Sequence, residues 1–361
     1  MKQLKIFAIA LIAALTFTAC GDDDDPRPII DPVEVDGNAL VVSQGSWGGT
    51  PGSLGLFMPS DRSFSTLIAD LGDSPQNVVE EDGYIYVPVN AESVVKVYDA
   101  RTGSLVTSIA IPFVQNICEE NDFVFAVGSD SLFRINTKTK AVDQKVKVGP
   151  GLYCVAATDH YVYVPIAGTY HEWGNPENYI DGMRLAKFDI NNISKGAVKE
   201  IAIGMNAYNQ IAVDNNDNIF VVCNGNYADV GKALYKVTPA DVATNIGEAD
   251  MITISKNVLY TISSSYDENW NAVFTYKKYS TTTNALLDED FLKEATEKPI
   301  NPTFISVDKK YGNILIGSNN LKDDGSVDYQ GNGLLYWYYS DGKFANKYTT
   351  GPNPYYALFV D

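Results

Sequence analysis

The chain has 361 residues, a formal net charge of −18, and a composition that is 45% hydrophobic and 12% aromatic. A chain longer than about 300 residues exceeds what one hydrophobic core normally supports, so it must contain several domains or many small packed units. The acidic balance and the lack of any basic stripe exclude nucleic acids and anionic membrane surfaces as partners.

Residues 1–19 have the pattern of a signal peptide and are not expected to join the fold. Lys2 and Lys5 precede an apolar run, residues 6–17, which is too short to span a bilayer. Ala19 and Cys20 follow, and this pair resembles the lipobox of bacterial lipoproteins, although Phe17 stands where that motif prefers leucine. The resemblance implies that Cys20 becomes the lipidated N-terminus at the outer membrane.

Residues 20–35 are predicted to form a tether that precedes the folded domain, residues 36–361. Four aspartates at 22–25 directly follow Gly21, and a proline-containing stretch continues to residue 32. A block of like charges is solvated and does not fold. An acidic run at this place resembles the surface-export signal of Bacteroidetes lipoproteins, which implies a cell-surface location. The alternative is a charged spacer without a signal.

One short β unit recurs along the rest of the chain. Residues 74–87, S-P-Q-N-V-V-E-E-D-G-Y-I-Y-V, combine an apolar pair, a polar turn and an alternating β-rich run. The unit returns at residues 115–127, 153–164, 210–222, 251–262 and 303–316. A seventh copy is split between residues 355–360 and residues 36–42. A repeat that is complete only when the chain ends meet implies a closed ring of β units.

Each β unit is followed by a further strand that runs into a polar hairpin turn. These strands lie at residues 54–60, 94–102, 132–137, 185–191, 234–239, 273–281 and 334–341. The sequence therefore predicts an all-β fold, a seven-bladed β-propeller of four-stranded antiparallel blades that is closed by pairing of the N- and C-terminal strands. A helical period occurs only at residues 288–298, which favours a short helical turn there.

The long connections are nearly all between the second and third strands of a blade, here called B–C loops. They span residues 43–53, 165–183, 223–232, 263–272 and 317–333. Such loops emerge on one face of the ring and carry many large side chains, which favours ligand binding over loops that only pack on themselves. The candidate ligand-binding residues of these loops are Trp47, Tyr170, His171, Trp173, Tyr179, Tyr227, Tyr266, Trp270 and Tyr329.

A second group of candidates lies where the innermost strands begin, at the mouth of the expected channel. Its members are amides and tyrosines: Gln76, Asn77, Gln115, Asn116, Tyr153, Tyr208, Asn209, Gln210 and Tyr355. Amides pair with a polar ligand as donors and as acceptors. The equally weighted alternative is that they cap strand ends and hold channel water.

Signals for catalysis and for metal binding are thin. The chain has two histidines, His160 in a turn and His171 in an aromatic loop, and no nucleophile or phosphate-binding motif accompanies them. Residues 214–217 and 323–328 are rich in aspartate but lack the spacing of a calcium loop. The three cysteines of the domain, Cys118, Cys154 and Cys223, lie in apolar runs and favour buried thiols. We therefore expect no catalytic residues, no resident metal and no required cofactor.

The stretch Y-D-A-R-T-G at residues 98–103, together with the repeat, resembles the YncE-like seven-bladed propellers. With the lipobox and the aspartate run, the chain resembles the BtuG family of surface lipoproteins. That resemblance implies binding of cobalamin and its delivery to a TonB-dependent outer-membrane transporter. Two other classes of function stay open. One is a surface adhesin that binds glycans or proteins, and the other is a propeller lyase.

Overall fold

The structure is a computed structural model that describes residues 37–46 and 48–360, with Asn209 described only by its backbone. The predicted signal peptide 1–19, the lipidation site Cys20, the tether 20–35 and the candidate Trp47 lie outside the described residues. No helix of the described part has the length and apolar character needed to cross a membrane.

Strands follow one another almost without interruption. In the first half of the chain they are β1 (Asn38–Ser43), β2 (Gly52–Met58), β3 (Ser63–Gly72), β4 (Val79–Glu81), β5 (Tyr84–Val89), β6 (Val94–Asp99), β7 (Leu105–Ala110), β8 (Val114–Glu120), β9 (Phe123–Gly128), β10 (Ser131–Asn136), β11 (Ala141–Lys147), β12 (Ala156–Ala157), β13 (Tyr161–Ile166), β14 (Arg184–Asp189) and β15 (Lys199–Ala202). In the second half they are β16 (Ala207–Val213), β17 (Ile219–Cys223), β18 (Ala233–Val237), β19 (Ala243–Gly247), β20 (Met251–Ser255), β21 (Val258–Tyr266), β22 (Ala272–Ser280), β23 (Leu286–Asp288), β24 (Pro302–Val307), β25 (Ile314–Ser318), β26 (Asn320–Leu321), β27 (Val327–Asp328), β28 (Asn332–Tyr338), β29 (Phe344–Pro352) and β30 (Pro354–Val360).

Seven four-stranded antiparallel sheets form the blades of a propeller, as predicted. Blades 1 to 5 are β4–β7, β8–β11, β12–β15, β16–β19 and β20–β23, and blade 6 is β24, β25, β28 and β29. Blade 7 is β30, β1, β2 and β3. We name the strands of each blade A to D from the centre outwards, since the A strands of neighbouring blades adjoin one another.

The ring is closed by the two ends of the chain, which confirms the split seventh repeat. β30 pairs antiparallel with β1 in a register that sets Asn38 opposite Val360 and Leu40 opposite Leu358. β1 in turn pairs with β2, with Ala39 opposite Phe57. The first strand of the described chain is thus an inner strand of blade 7, and the last strand lines the centre.

The core is divided into seven apolar clusters, each between two neighbouring blades. Between blades 1 and 2, for example, Tyr86 and Val97 pack against Val124, Ala126 and Phe133. Because each blade buries both faces of its sheet, a chain of this length needs no single large core. Seven small cores therefore account for a chain that is too long for one hydrophobic core.

Burial falls from the second strand of a blade to its outer strand. β9 is almost wholly buried, whereas β11, the outer strand of the same blade, is largely exposed. Lys145 and Lys147 stand on that outer strand, where lysines discourage pairing with the edges of other molecules. The apolar B strands and polar D strands of the sequence follow from this gradient.

Two local features differ from the sequence prediction. Residues 288–298 form no helix, because the carbonyls of Asp290 and Leu292 accept the N–H groups of Lys293 and Ala295 and so close two reverse turns. The helical period arises from Phe291 and Leu292, which are buried between blades 5 and 6. A one-turn 3-10 helix, Ile193–Lys195, lies instead in the C–D connection of blade 3.

Candidate ligand-binding site

The long B–C loops occupy one end of the propeller together with the D–A connections. In a four-stranded antiparallel sheet, the strand direction reverses at every turn, so these two kinds of connection share one face. We call it the loop face, and it includes the loops at residues 44–46 with 48–51, 167–183, 224–232, 267–271 and 319–331. The A–B and C–D turns form the opposite face.

Six aromatic side chains of blades 3 and 4 form one group on the loop face, here called the aromatic cluster. Its members are Tyr153, Tyr170, Trp173, Tyr179, Tyr208 and Tyr227. The rings of Tyr153 and Tyr208 lie 4.3 Å apart, and those of Trp173 and Tyr227 stack at 6.3 Å with an interplanar angle of 16°. Tyr179 contacts both Tyr170, at 5.9 Å, and Tyr227, at 6.5 Å. Tyr153 and Tyr208 lie within electrostatic range of Tyr227 and Tyr179, so the structure brings six sequence-predicted residues into one neighbourhood, as a contacting pair and a contacting group of four.

The outer rings of the cluster are exposed to solvent, whereas its central ring is buried. Trp173 is 77% exposed, while Tyr179 at the centre is buried. Burial raises the pKa of Tyr153 and Tyr208, and Tyr227 raises both further. The phenols of Tyr153 and Tyr208 therefore remain neutral hydrogen-bond donors across the ordinary pH range. An exposed aromatic surface of this kind suits a ligand with apolar faces and polar edges.

Short polar networks fix the two loops that carry the cluster. In the loop of blade 3, the buried Asn178 accepts the N–H groups of His171, at 2.7 Å, and Glu172, and its amide donates to the Glu172 carbonyl. In the loop of blade 4, Asn226 accepts the N–H groups of Ala228 and Val230. Loops held in this way lose little conformational entropy when a ligand binds.

Four bulky aromatic residues on the loop face adopt left-handed backbone conformations. They are Phe113, Tyr179, Tyr227 and Trp270, with φ values of 47°, 65°, 59° and 62°. Such conformations strain large side chains, and strain of this kind concentrates at ligand-binding sites. Phe113 was missed by the sequence analysis, because it lies in a short D–A connection, yet it is 65% exposed.

Tyr355 of blade 7 lies on β30, the innermost strand of that blade. Burial raises the pKa of its phenol above the usual range, and Tyr208 of blade 4 and Cys154 of blade 3 raise it further. These electrostatic neighbours belong to blades on the far side of the ring, so Tyr355 reaches across the centre.

Three of the six predicted amides join neighbouring blades. Asn77 of blade 1 donates to the carbonyl of Ile117 in blade 2, at 2.7 Å, and accepts its N–H. Asn116 accepts the N–H of Val155, and Gln210 accepts the N–H of Ile252. These contacts favour the structural alternative for Asn77, Asn116 and Gln210.

Two further amides differ in their surroundings. Gln76 is buried, and its amide donates to the carbonyl of Ser74 while its oxygen accepts from Gln44. Gln115 is half-buried and forms no comparable bond to another A strand in the described part of the chain. Among the predicted amides whose side chains are described, Gln115 is therefore the one left to meet a ligand.

Three predicted aromatics do not join the cluster. Tyr266 and Trp270 contact each other, with ring centroids 6.1 Å apart, on the hairpin of blade 5. Tyr329 is exposed in the loop of blade 6. The ring contacts found among the described residues link none of the three to the cluster.

The remaining polar candidates have local partners. The Asp214 carboxylate accepts the N–H groups of Asn216 and Asn218, and the Asp324 carboxylate accepts that of Ser326, so both close turns. His171 is exposed beside the cluster, and His160 stands at an A–B turn of the opposite face.

The opposite face is acidic where blades 1 and 2 meet. Ligand oxygens of Glu81, Asp82 and Asp122 lie within 4.8 Å of one another. Burial raises the pKa of the neighbouring Glu80 to about 7. The hydrogen bond from the Gly83 N–H lowers this pKa, and the negative charges of Glu81 and Asp82 raise it further. The unfolded chain has the ordinary glutamate pKa near 4.3. The free energy of unfolding therefore falls as the pH rises from about 4.5 to about 7, because Glu80 ionises more easily in the unfolded chain than in the folded protein.

We expect Glu80→Gln to raise the melting temperature at pH 8 and to leave it unchanged near pH 4, because glutamine cannot ionise. It keeps an oxygen for the N–H of Gly83. Thermal unfolding at pH 4, 6 and 8 measures the effect, and the exposed Glu289→Gln is the matched control. A gain that is equal at all three pH values, or equal in both variants, would contradict the assignment.

Neither protein-family models nor curated proteins match the chain. Solved structures do share its fold. A candidate 6-phosphogluconolactonase from Bacteroides fragilis has a TM-score of 0.63 at 12% identity, over 93% of this chain and 100% of that one. Another from Bacteroides uniformis has a TM-score of 0.60 at 12% identity, over 90% and 100%. A quinonprotein alcohol dehydrogenase-like protein from Bacteroides thetaiotaomicron has a TM-score of 0.58 at 12% identity, over 90% and 78%.

Identities this low establish a common architecture without a common activity. The chain is a seven-bladed β-propeller whose fold is similar to those of the lactonase-like and quinoprotein-like propellers.

Proposed function

We propose that this protein captures an amphipathic small molecule on the aromatic cluster of blades 3 and 4. The observation that carries the proposal is the group of rings in which Trp173 stacks on Tyr227 and Tyr179 contacts Tyr170 and Tyr227, with Tyr179 and Tyr227 in strained left-handed conformations. A surface of preformed aromatic rings provides binding area at a low entropic cost.

Cobalamin is the ligand that we place first. It is a broad disc with apolar edges and many side-chain amides, so rings would cover its edges while phenols and Gln115 pair with its amides. The BtuG-like combination of lipobox, aspartate run and propeller supports this choice. In this proposal the protein is anchored at the cell surface through Cys20 and passes cobalamin to a TonB-dependent outer-membrane transporter, without catalysis and without a required cofactor.

Calorimetry with cyanocobalamin tests the ligand. We expect Trp173→Ala and Tyr227→Ala, which alter different blades, each to weaken binding by about thirtyfold, because truncating a central aromatic costs about 2 kcal/mol. Tyr329→Ala, on the same face but outside the cluster, is the matched control and should bind as the wild type does. Each variant must keep the wild-type melting temperature.

An absence of both heat and spectral change with the wild-type protein would refute cobalamin as the ligand. An adhesin that binds glycans or proteins through the loop face would then take first place. If both cluster variants bind cobalamin as tightly as the wild type, cobalamin remains the ligand but the aromatic cluster is not its binding site.

The anchor is tested apart from the ligand. We expect Cys20→Ala to leave the fold and ligand binding intact and to move the protein out of the membrane fraction, because the lipid on one residue supplies the attachment. Replacing the aspartates at 22–25 by alanine should keep the protein in the membrane fraction but lower its access to protease on intact cells. Unchanged access would show that the aspartate run is only a spacer.

A further inference from the structure

The B–C hairpin of blade 5 extends beyond the others. β21 and β22 each have nine residues, and their pairing continues to Tyr266 opposite Ala272. In antiparallel pairs, residues that lie opposite share one face of the sheet. The register therefore places Ser264, Tyr266, Ala272 and Phe274 on the same face as Ile262, which packs toward blade 6.

The outer part of this face borders a cavity of about 300 Å³ between blades 5 and 6. Tyr266 and Phe274 line one side, and Asn301 and Pro302, at the start of β24, line the other. A volume of this size is at the lower end of the range of small-molecule sites, about 300–1,000 Å³. It accommodates one ring of a small ligand and is too small for a macrocycle.

The polar groups of the cavity carry no free charge. Asp250 is the charged residue among those that line it, and one of its carboxylate oxygens forms an ion pair with Lys232. Its other oxygen accepts the N–H and the hydroxyl of Ser264, the latter at 2.7 Å. An anionic ligand would meet a carboxylate here, and a cation would compete with Lys232, so the chemistry favours a neutral ligand with hydroxyl groups.

The tip of the hairpin holds an aromatic pair in water. Tyr266 is 69% and Trp270 is 82% exposed, and their rings lie 6.1 Å apart. Asp267 fixes this tip, since it accepts the N–H groups of Asn269 and Asn271, both at 2.8 Å. Trp270 is held in a left-handed conformation. A strained and exposed tryptophan on a rigid turn is a ready surface for stacking.

We propose that the cavity between blades 5 and 6 is a second binding site, which takes one pyranose unit of a neutral glycan. The C–H face of a pyranose is apolar and would stack on Tyr266, which lines the cavity, and Trp270, whose ring lies 6.1 Å from that of Tyr266, would extend this stacking surface. Its hydroxyl groups would pair with the amide of Asn301 and with the polar pair of Ser264 and Asp250. This site is distinct from the aromatic cluster, because no ring contact among the described residues joins its aromatic pair to that cluster.

Saturation-transfer NMR with neutral trisaccharides (of glucose, mannose, galactose and xylose units) tests the proposal on the full-length folded protein. We expect at least one to bind. Trp270→Ala should weaken that binding by about tenfold or more, as for an interface aromatic, whereas Trp270→Phe should largely keep it. Asn301→Ala should weaken it as well. Tyr227→Ala, in the aromatic cluster, should leave glycan binding unchanged.

Two results would overturn the proposal. One is the absence of a signal from every neutral trisaccharide at millimolar concentration. The other is binding that persists in both Trp270→Ala and Asn301→Ala. Cobalamin calorimetry on Trp270→Ala separates the two sites, because unchanged cobalamin affinity is expected there whatever the glycan result.

Discussion

Deletion of residues 355–361 should abolish the folded protein. This segment forms nearly all of β30, whose alternate residues face different blades: Leu358 and Val360 pack toward blade 1, and Ala357 and Phe359 pack toward blade 6. Loss of these four side chains removes about 5–10 kcal/mol of apolar burial. That is comparable with the entire stability of a typical protein, about 5–15 kcal/mol. The deletion also leaves β1 without one of its two partners.

Circular dichroism and size-exclusion chromatography of the purified product measure this loss. A circular permutant is the control, with residue 360 joined to residue 37 through a short linker and new ends placed in the exposed turn at residues 101–102. The permutant retains every blade and should fold. A truncated chain with the same melting temperature as the intact one would show that β30 does not close the ring.

Asn77→Ala should lower the free energy of unfolding by about 2–4 kcal/mol, since buried backbone groups without partners cost about 1–3 kcal/mol each. The Asn77 side chain is only 4% exposed and serves both the N–H and the carbonyl of Ile117. Alanine would leave both groups unpaired at the interface of blades 1 and 2. Urea unfolding measures the change.

Gln115→Ala is the matched control, because Gln115 is an amide of the same inner ring but is half-buried and makes no such paired bond. It should change stability by less than about 0.5 kcal/mol. If Gln115→Ala also weakens cobalamin binding and Asn77→Ala does not, then Gln115 serves ligand binding and Asn77 serves stability. Equal and small stability losses in both variants would contradict the view that the two hydrogen bonds of Asn77 to Ile117 stabilise the interface of blades 1 and 2.

The fold could be predicted because its signals are local and repeated. Alternating strands, polar turns and the split repeat at the chain ends gave the seven blades, each strand pair to within a few residues. The helical period at residues 288–298 led to a wrong prediction. Its spacing comes from Phe291 and Leu292, which are buried between two blades and do not lie on a helix. The hairpin of β26 and β27 within the loop of blade 6 was not predicted, since neither strand exceeds two residues.

The site was only partly predictable. Loop length and aromatic content placed Tyr170, Trp173 and Tyr227 on one face, but sequence could not tell which rings meet, because the contacts join loops of two different blades. The role of each amide depends on the partner across an interface, which no single strand encodes. Phe113 shows the same limit: its backbone conformation, rather than its sequence context, distinguishes it.

The position of β1 has a mechanical consequence. An edge strand that is pulled from its end separates one hydrogen bond at a time, whereas β1 lies between β30 and β2 and is held along both sides. Force that enters the domain at Gly37 would therefore load two ladders in parallel, as shear. A propeller tethered through its first residues would resist drag at that point far better than one tethered through an outer strand.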